Sequence, residues 1–270
     1  YISPNQYIEQ IYTLPAEGYL LDYELKFVGL DNVVKDEAVK FSWIDKLKKL
    51  ESDLQESRYK STLNYYYSDG DFDYLSERSD DPEQEQLDKP LKWISMKQRF
   101  FTAAFISENY FPKGNVLSYI DLTDSNTVKT LIASLDIPME DLKTGKGRFK
   151  FYFGPNDYHI LKNVTAGFDN NVDLGWWFIP WINKFLIIPV FNFLEGYTSN
   201  YGLIILLLVL IIKTLLFPLT YKSYVSMGKM RVLKPETDAI KEKYKDDMKA
   251  AQQEQMKLFQ NVGVNPLSGC

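Results

Sequence analysis

The chain has 270 residues, 45% of them hydrophobic and 15% aromatic, which excludes a disordered polypeptide because that much apolar bulk offsets the entropy of ordering. A net charge of −5 and a pI near 5.1 exclude the clustered basic surface on which nucleic-acid binding depends. One cysteine, Cys270, and one histidine, His159, exclude an internal disulfide, a cysteine-based zinc site and a multi-histidine metal site, so neither metal nor cofactor is expected.

The charge is unevenly spread. Residues 214–270 hold nine Lys/Arg and six Asp/Glu, against 22 and 30 in residues 1–213, so a basic tail follows an acidic body. The chain opens on Tyr1 without an initiator Met or a basic-then-apolar leader, which we take as truncation rather than as a sign of a cytosolic protein.

In chain order, Leu21, Tyr23, Leu25 and Phe27 alternate with Asp22, Glu24 and Lys26, the pattern of a half-buried strand. Trp43, Leu47, Leu50 and Leu54 recur at helical spacing and predict a covering helix. Thr62–Tyr67, Trp93–Ile106 and Arg148–Phe153 are rich in aromatic and β-branched residues, with Gly154-Pro155 closing the last run. The acidic stretch Ser68–Pro90, containing Asp80-Asp81-Pro82, reads as a surface loop. These runs predict an antiparallel sheet system with one wet face over residues 1–170, followed by a short helix that presents Tyr158, Leu161 and Val164 and ends near Gly167.

Composition changes abruptly at Leu174. Through Leu194 there is one charge, Lys184, beside Trp176, Trp177 and Trp181, the residue types that a membrane–water boundary selects. Pro180 and Pro189 weaken a spanning helix, so within residues 171–200 an interfacial amphipathic helix on the outer leaflet and a polar hinge are expected. The run from Leu174 to Leu194 is also long enough to cross a bilayer, which leaves a second span as the rival.

Tyr201–Tyr221 is an almost wholly apolar run that matches the roughly 20 residues needed to cross a bilayer as a helix. The basic flank Lys222, Lys229, Arg231 and Lys234 marks its cytoplasmic side and puts the β domain outside. In residues 222–270, Pro235 with Glu236 and Asp238 makes a helix start. Ile240, Tyr244 and Met248 give one apolar seam, and Met256 with Phe259 a second, so a helical hairpin is expected.

Within the apolar run, Lys213 stands out. A charge at that depth costs roughly 2.5–3.5 kcal/mol on insertion scales. Either it snorkels to the inner headgroups, or its ammonium faces a water-filled groove. Pro218 deprives the Thr214 carbonyl of its usual amide partner, which either adds polarity to such a groove through a kink or accompanies the helix end. Enzyme signatures are missing: there is no GxSxG, P-loop or HExxH, and Asp80-Asp81 reads as solvated loop charge. Asn163-Val164-Thr165 fits a glycosylation sequon too common to use.

The segments KWISMKQRFFTAAFI (Lys92–Ile106), FKFYFGP (Phe149–Pro155), VDLGWW (Val172–Trp177), GLIILLLVLIIKTLLFPLTYKSYVSMGKMR (Gly202–Arg231) and NPLSGC (Asn265–Cys270) together resemble the bacterial YidC membrane-protein insertases of the Oxa/Alb/YidC family. The resemblance implies a periplasmic β-supersandwich incomplete at its front, a helix on the periplasmic face, the first core transmembrane helix and a cytoplasmic hairpin leading to a missing transmembrane core.

It also implies an insertase and chaperone of the bacterial inner membrane, working on nascent membrane proteins in contact with lipids, the Sec translocon and the ribosome. By the same resemblance Lys213 occupies the position of a positive residue, usually arginine, that projects into a hydrophilic groove. Lysine keeps the charge and loses the planar fork. Two other readings stand beside it, a membrane-tethered β-sandwich that binds or senses a ligand, and a carbohydrate-processing enzyme on the same sandwich.

Overall fold

A computed structural model describes residues 3–30, 33–175, 178–244 and 247–263. The chain forms two compact units, 1–173 and 174–270.

The first unit is an antiparallel sandwich. Its strands are β1 (Tyr7–Thr13), β2 (Leu20–Val28), β3 (Ala38–Lys48), β4 (Thr62–Tyr67), β5 (Phe72–Tyr74), β6 (Glu83–Leu87), β7 (Leu91–Lys97), β8 (Phe101–Phe111), β9 (Gly114–Tyr119), β10 (Thr127–Pro138) and β11 (Arg148–Pro155). Seven pair in the order β1-β2-β11-β8-β7-β4-β5, and four in the order β3-β10-β9-β6. Between the sheets lies the main core, in which Phe105 stacks on Phe41 at 4.2 Å and on Phe149 at 5.1 Å.

Several expectations change. Residues 43–48 are strand: Phe41, Trp43, Asp45 and Leu47 point inward while Ser42, Ile44, Lys46 and Lys48 are exposed, so the predicted helix does not form. A short helix, α1 (Leu54–Tyr59), follows only after Asp53, whose carboxylate accepts from the Glu56 amide at 3.0 Å and caps it. The acidic stretch 68–90 contains β5 and β6, and β6 is held in part by the Tyr65 hydroxyl donating to Glu85 Oε2 at 2.5 Å. Residues 93–106 divide into β7 and β8 around a turn at 98–100. A further short helix, α2 (Met139–Lys143), joins β10 to β11.

The outer face of the seven-stranded sheet is not wet at its centre. Trp93, Ala104, Ile106 and Tyr152 form a second core there, closed by Leu161 and Phe168 from the segment after β11. That segment holds a single helical turn, α3 (Tyr158–Leu161), with Asp157 as its cap, and then a 3-10 turn at Phe168–Asn171. Gly167 opens that turn at φ +67°, a left-handed conformation, with the Tyr66 ring against its Cα, so a side chain has no room.

In the second unit, α4 (Ile179–Ile182), a π turn (Asn183–Ile187) and α5 (Ile188–Glu195) run on as one helix. Pro180 sits in its first turn, where its missing N–H costs nothing, and the wider π turn lies just before Pro189. After the bend at residues 196–200 comes α6 (Tyr201–Val232), capped by Asn200, whose side chain accepts from the Leu203 amide at 3.2 Å.

α6 is 32 residues long, so it runs on well past Tyr221 and contains Pro218 rather than ending there. α7 (Lys234–Lys243) and α8 (Met248–Asn261) fold back on each other, with Gln255 Nε2 donating to the Thr237 carbonyl at 3.4 Å. Met248 is not part of an α7 seam: it opens α8 and is exposed, while Leu233 and Ala251 are buried instead. Residues Trp176, Trp177 and Asn265–Cys270 lie outside the described residues.

Candidate membrane-facing site

α6 is the one described helix long and apolar enough to cross a membrane. At 1.5 Å per residue its 32 residues extend about 48 Å, well beyond a hydrocarbon layer of about 30 Å. Ile204 is its one buried residue, and apolar side chains such as Leu206, Leu210, Phe217 and Leu219 are exposed all round. A soluble helix buries one stripe; this one has an apolar circumference that suits lipid.

Lys213 lies in the N-terminal half of α6 and is exposed. At 100° per residue, Thr220 and Tyr224 fall within about 20° of it, so the three make one polar stripe on the helix surface. Sequence reasoning singled out Lys213 and missed Thr220 and Tyr224, although their positions, close to two and three helical turns on, carry the signal. The hydroxyls of Thr214 and Thr220 bond back to the carbonyls of Leu210 (2.8 Å) and Phe217 (3.0 Å), the usual way to hide a hydroxyl in an apolar helix. Pro218 lies one turn beyond Thr214 and cannot donate to its carbonyl.

Of the basic flank, Lys222, Lys229 and Arg231 belong to the end of α6 itself and Lys234 opens α7; all four are exposed. Lys229 and Arg231, in its last turn, complement the negative end of the α6 dipole. On the helical run 179–195, Trp181 and Phe185 lie 5.4 Å apart with Phe193 two turns on, all exposed on one side. Lys184 follows Trp181 within the π turn and is partly covered. Phe191 stacks on Tyr201 at 6.2 Å, and the Tyr201 hydroxyl donates to Glu195 at 3.0 Å, which ties α5 to the start of α6.

In the sandwich, His159 is exposed with its amide held by Asp157, and among the described residues no cluster of His, Cys, Asp or Glu could hold a metal ion. Asp80 and Asp81 sit exposed in the β5–β6 connection.

Two family profiles match the chain: YidC periplasmic domain over residues 3–189, and 60Kd inner membrane protein over residues 193–270. Among curated relatives, the membrane protein insertase YidC of Amoebophilus asiaticus is 46% identical over 99% of this chain and 45% of its own length. The protein of the same name from Cytophaga hutchinsonii is 42% identical over 97% of this chain and 44% of its own. That from Porphyromonas gingivalis strain W83 is 31% identical over 100% and 45%. The chain thus spans less than half the length of these relatives.

Proposed function

This chain belongs to the YidC family of membrane protein insertases, and from that premise we propose that it is the part of an insertase carrying the periplasmic sandwich, an interfacial helix, the first groove-lining span and a cytoplasmic hairpin. In this reading 201–221 lies within the bilayer and the rest of α6 emerges into the cytoplasm with Lys222, Lys229, Arg231 and Lys234. Residues 179–195 lie at the periplasmic interface, anchored by Trp181 and Lys184 together with Trp176 and Trp177. The clients are nascent membrane proteins, with the ribosome on the side of the α7–α8 hairpin and the Sec translocon as a further partner.

The observation that carries the proposal is an ammonium near the middle of an otherwise apolar run of helix, followed on one stripe by Thr220 and Tyr224. An insertase makes and breaks no bond; it lowers a barrier. A hydrophilic groove containing Lys213 attracts the acidic residues of a client segment and offsets part of their cost of leaving water, while the client's apolar helix passes into lipid. Pro218 adds the Thr214 carbonyl to the polar side of that groove. The rival reading, a tethered sensor or binding protein, has no support from relatives that carry the insertase name.

The test uses a full-length protein with this sequence. Lys213→Gln is expected to slow insertion of a client with an acidic translocated tail severalfold, and Lys213→Arg to retain it. Equal insertion by the Gln variant removes the groove role.

A further inference from the structure

The connections at one end of the sandwich expose more apolar side chains than those at the other. Five strand-to-strand connections meet at the end where β7 turns into β8, and four of them carry a large exposed apolar residue. Leu14 (77% exposed) lies between β1 and β2, Leu50 (81%) follows β3, Phe100 (55%) and Phe101 (57%) form the β7–β8 corner, and Leu122 (77%) lies between β9 and β10.

The fifth connection, residues 75–82, is polar and tied down. Lys129 Nζ donates to the Glu77 carbonyl at 2.9 Å, and Lys97 pairs with the Glu77 carboxylate at 2.6 Å. At the opposite end, Val33 is the one large apolar side chain exposed among the described connecting residues, with Ile8 and Tyr110 exposed near strand ends. At the β7–β8 end, Leu50, Phe100 and Phe101 line one shallow depression, and a contiguous exposed apolar patch of this kind marks an interaction surface.

Two observations identify the occupant. First, the chain leaves the domain toward this end. The Asn156 amide donates to the Phe100 carbonyl at 2.8 Å where β11 finishes. The chain then crosses the outer face to Gly167, against the Tyr66 ring, and turns back to Asn171, which is bonded to Asn64 and Ser95, a step nearer the β7–β8 corner. The sequence passes directly from there into the aromatic stretch that exposes Trp181 and Phe185. Second, on the tips Lys49 and Arg99 are outnumbered by Glu17, Glu51, Asp121 and Asp124, which disfavours an anionic partner and leaves apolar insertion as the driving force.

We propose that this end of the β domain is a peripheral lipid-binding face that places Leu50, Phe100, Phe101 and Leu122 among the headgroups of a zwitterionic bilayer. It rests on the reading that α6 spans that bilayer. Covalent attachment keeps the lipid surface at high effective concentration, so a contact too weak to hold a free domain suffices.

The full chain carrying Cys270→Ser is given a single new cysteine, in turn Phe100→Cys, Leu122→Cys, Lys89→Cys or Val209→Cys, and labelled with an environment-sensitive dye. Each is reconstituted in phosphatidylcholine nanodiscs, with and without acyl-chain bromination. Val209 reports the span and Lys89 the opposite, polar end. Bromine is expected to quench the label at 209, and to quench 100 and 122 at least about twofold more than 89.

Quenching at 209 with 100 no different from 89 overturns the lipid-binding face while leaving the span intact. A label at 209 that bromine does not reach removes the span, and the face falls with it. A blue-shifted label at 100 that bromine does not reach means that protein covers this end, which also overturns the proposal.

Discussion

At the scale of single residues, a buried amide fixes the exit of the chain from the sandwich. Asn171 Oδ1 accepts from Asn64 Nδ2 at 2.8 Å and from Ser95 Oγ at 2.5 Å, its own amide donates to the Phe168 carbonyl, and all three side chains are buried. Asn171→Ala leaves two donors without an acceptor. It is expected to lower the unfolding free energy of the sandwich by about 2–4 kcal/mol in urea titration; a loss below about 0.5 kcal/mol would mean that water replaces the amide freely.

Titration supplies a second prediction at this scale. Burial pushes the hydroxyls of Tyr23, Tyr65 and Tyr152 up, Tyr23 to about 12. Above about pH 10 the unfolded chain therefore loses tyrosine protons that the folded state keeps, and stability falls as pH rises from there toward 12. Buried Lys129 acts oppositely: burial lowers its pKa, so its charge costs stability at neutral pH and the cost fades toward the ordinary lysine value of about 10.5. Burial also raises Tyr67 and lowers Lys92, so with four tyrosines against two lysines the net expectation is a decline in unfolding free energy between pH 10 and 12 that Tyr23→Phe makes shallower. None of these partners could be read from spacing, because each depends on where distant strands meet.

At the scale of elements, β3 shows both how the sandwich was legible and where it was not. Leu21–Phe27 alternates without interruption, Thr62–Tyr67 and Arg148–Phe153 are rich in aromatic residues, and the three are the strands β2, β4 and β11. In β3 the inward series is Phe41, Trp43, Asp45, Leu47, and the acid at its third place breaks the period of two. What remains visible, Trp43, Leu47, Leu50 and Leu54, mimics the period of a helix. β5 and β6 were hidden for a related reason, since Glu83 and Glu85 take the half-covered positions of an acidic strand.

Asp45 is half-buried on an edge strand, and burial raises its carboxyl pKa. An inward charge on an edge discourages pairing with other sheets at some expense in stability. Asp45→Val is expected to raise Tm by a few degrees and to increase light scattering on storage. A variant with lower Tm and unchanged scattering contradicts that role.

At the scale of the whole molecule, both apolar cores draw their residues from 1–173, so this unit is expected to fold alone and to unfold in one cooperative transition seen alike by circular dichroism and tryptophan fluorescence. Non-coincident transitions would mean that the two cores melt separately. The long apolar helix was legible because nothing in a soluble core needs so long a run as Tyr201–Tyr221 broken by a single charge. Its continuation to Val232 was not, because Ser, Lys and Gly past the apolar stretch carry no stop signal.

The placement of Leu161 and Phe168 in the second core has a mechanical consequence. Residues 158–172 are a wall of the sandwich and not a slack leash, so tension on the membrane segment is resisted first by the Trp93 ring against Phe168 and by the Asn171 amide. Up to Val172 a tug therefore shears packed rings before it can straighten any chain.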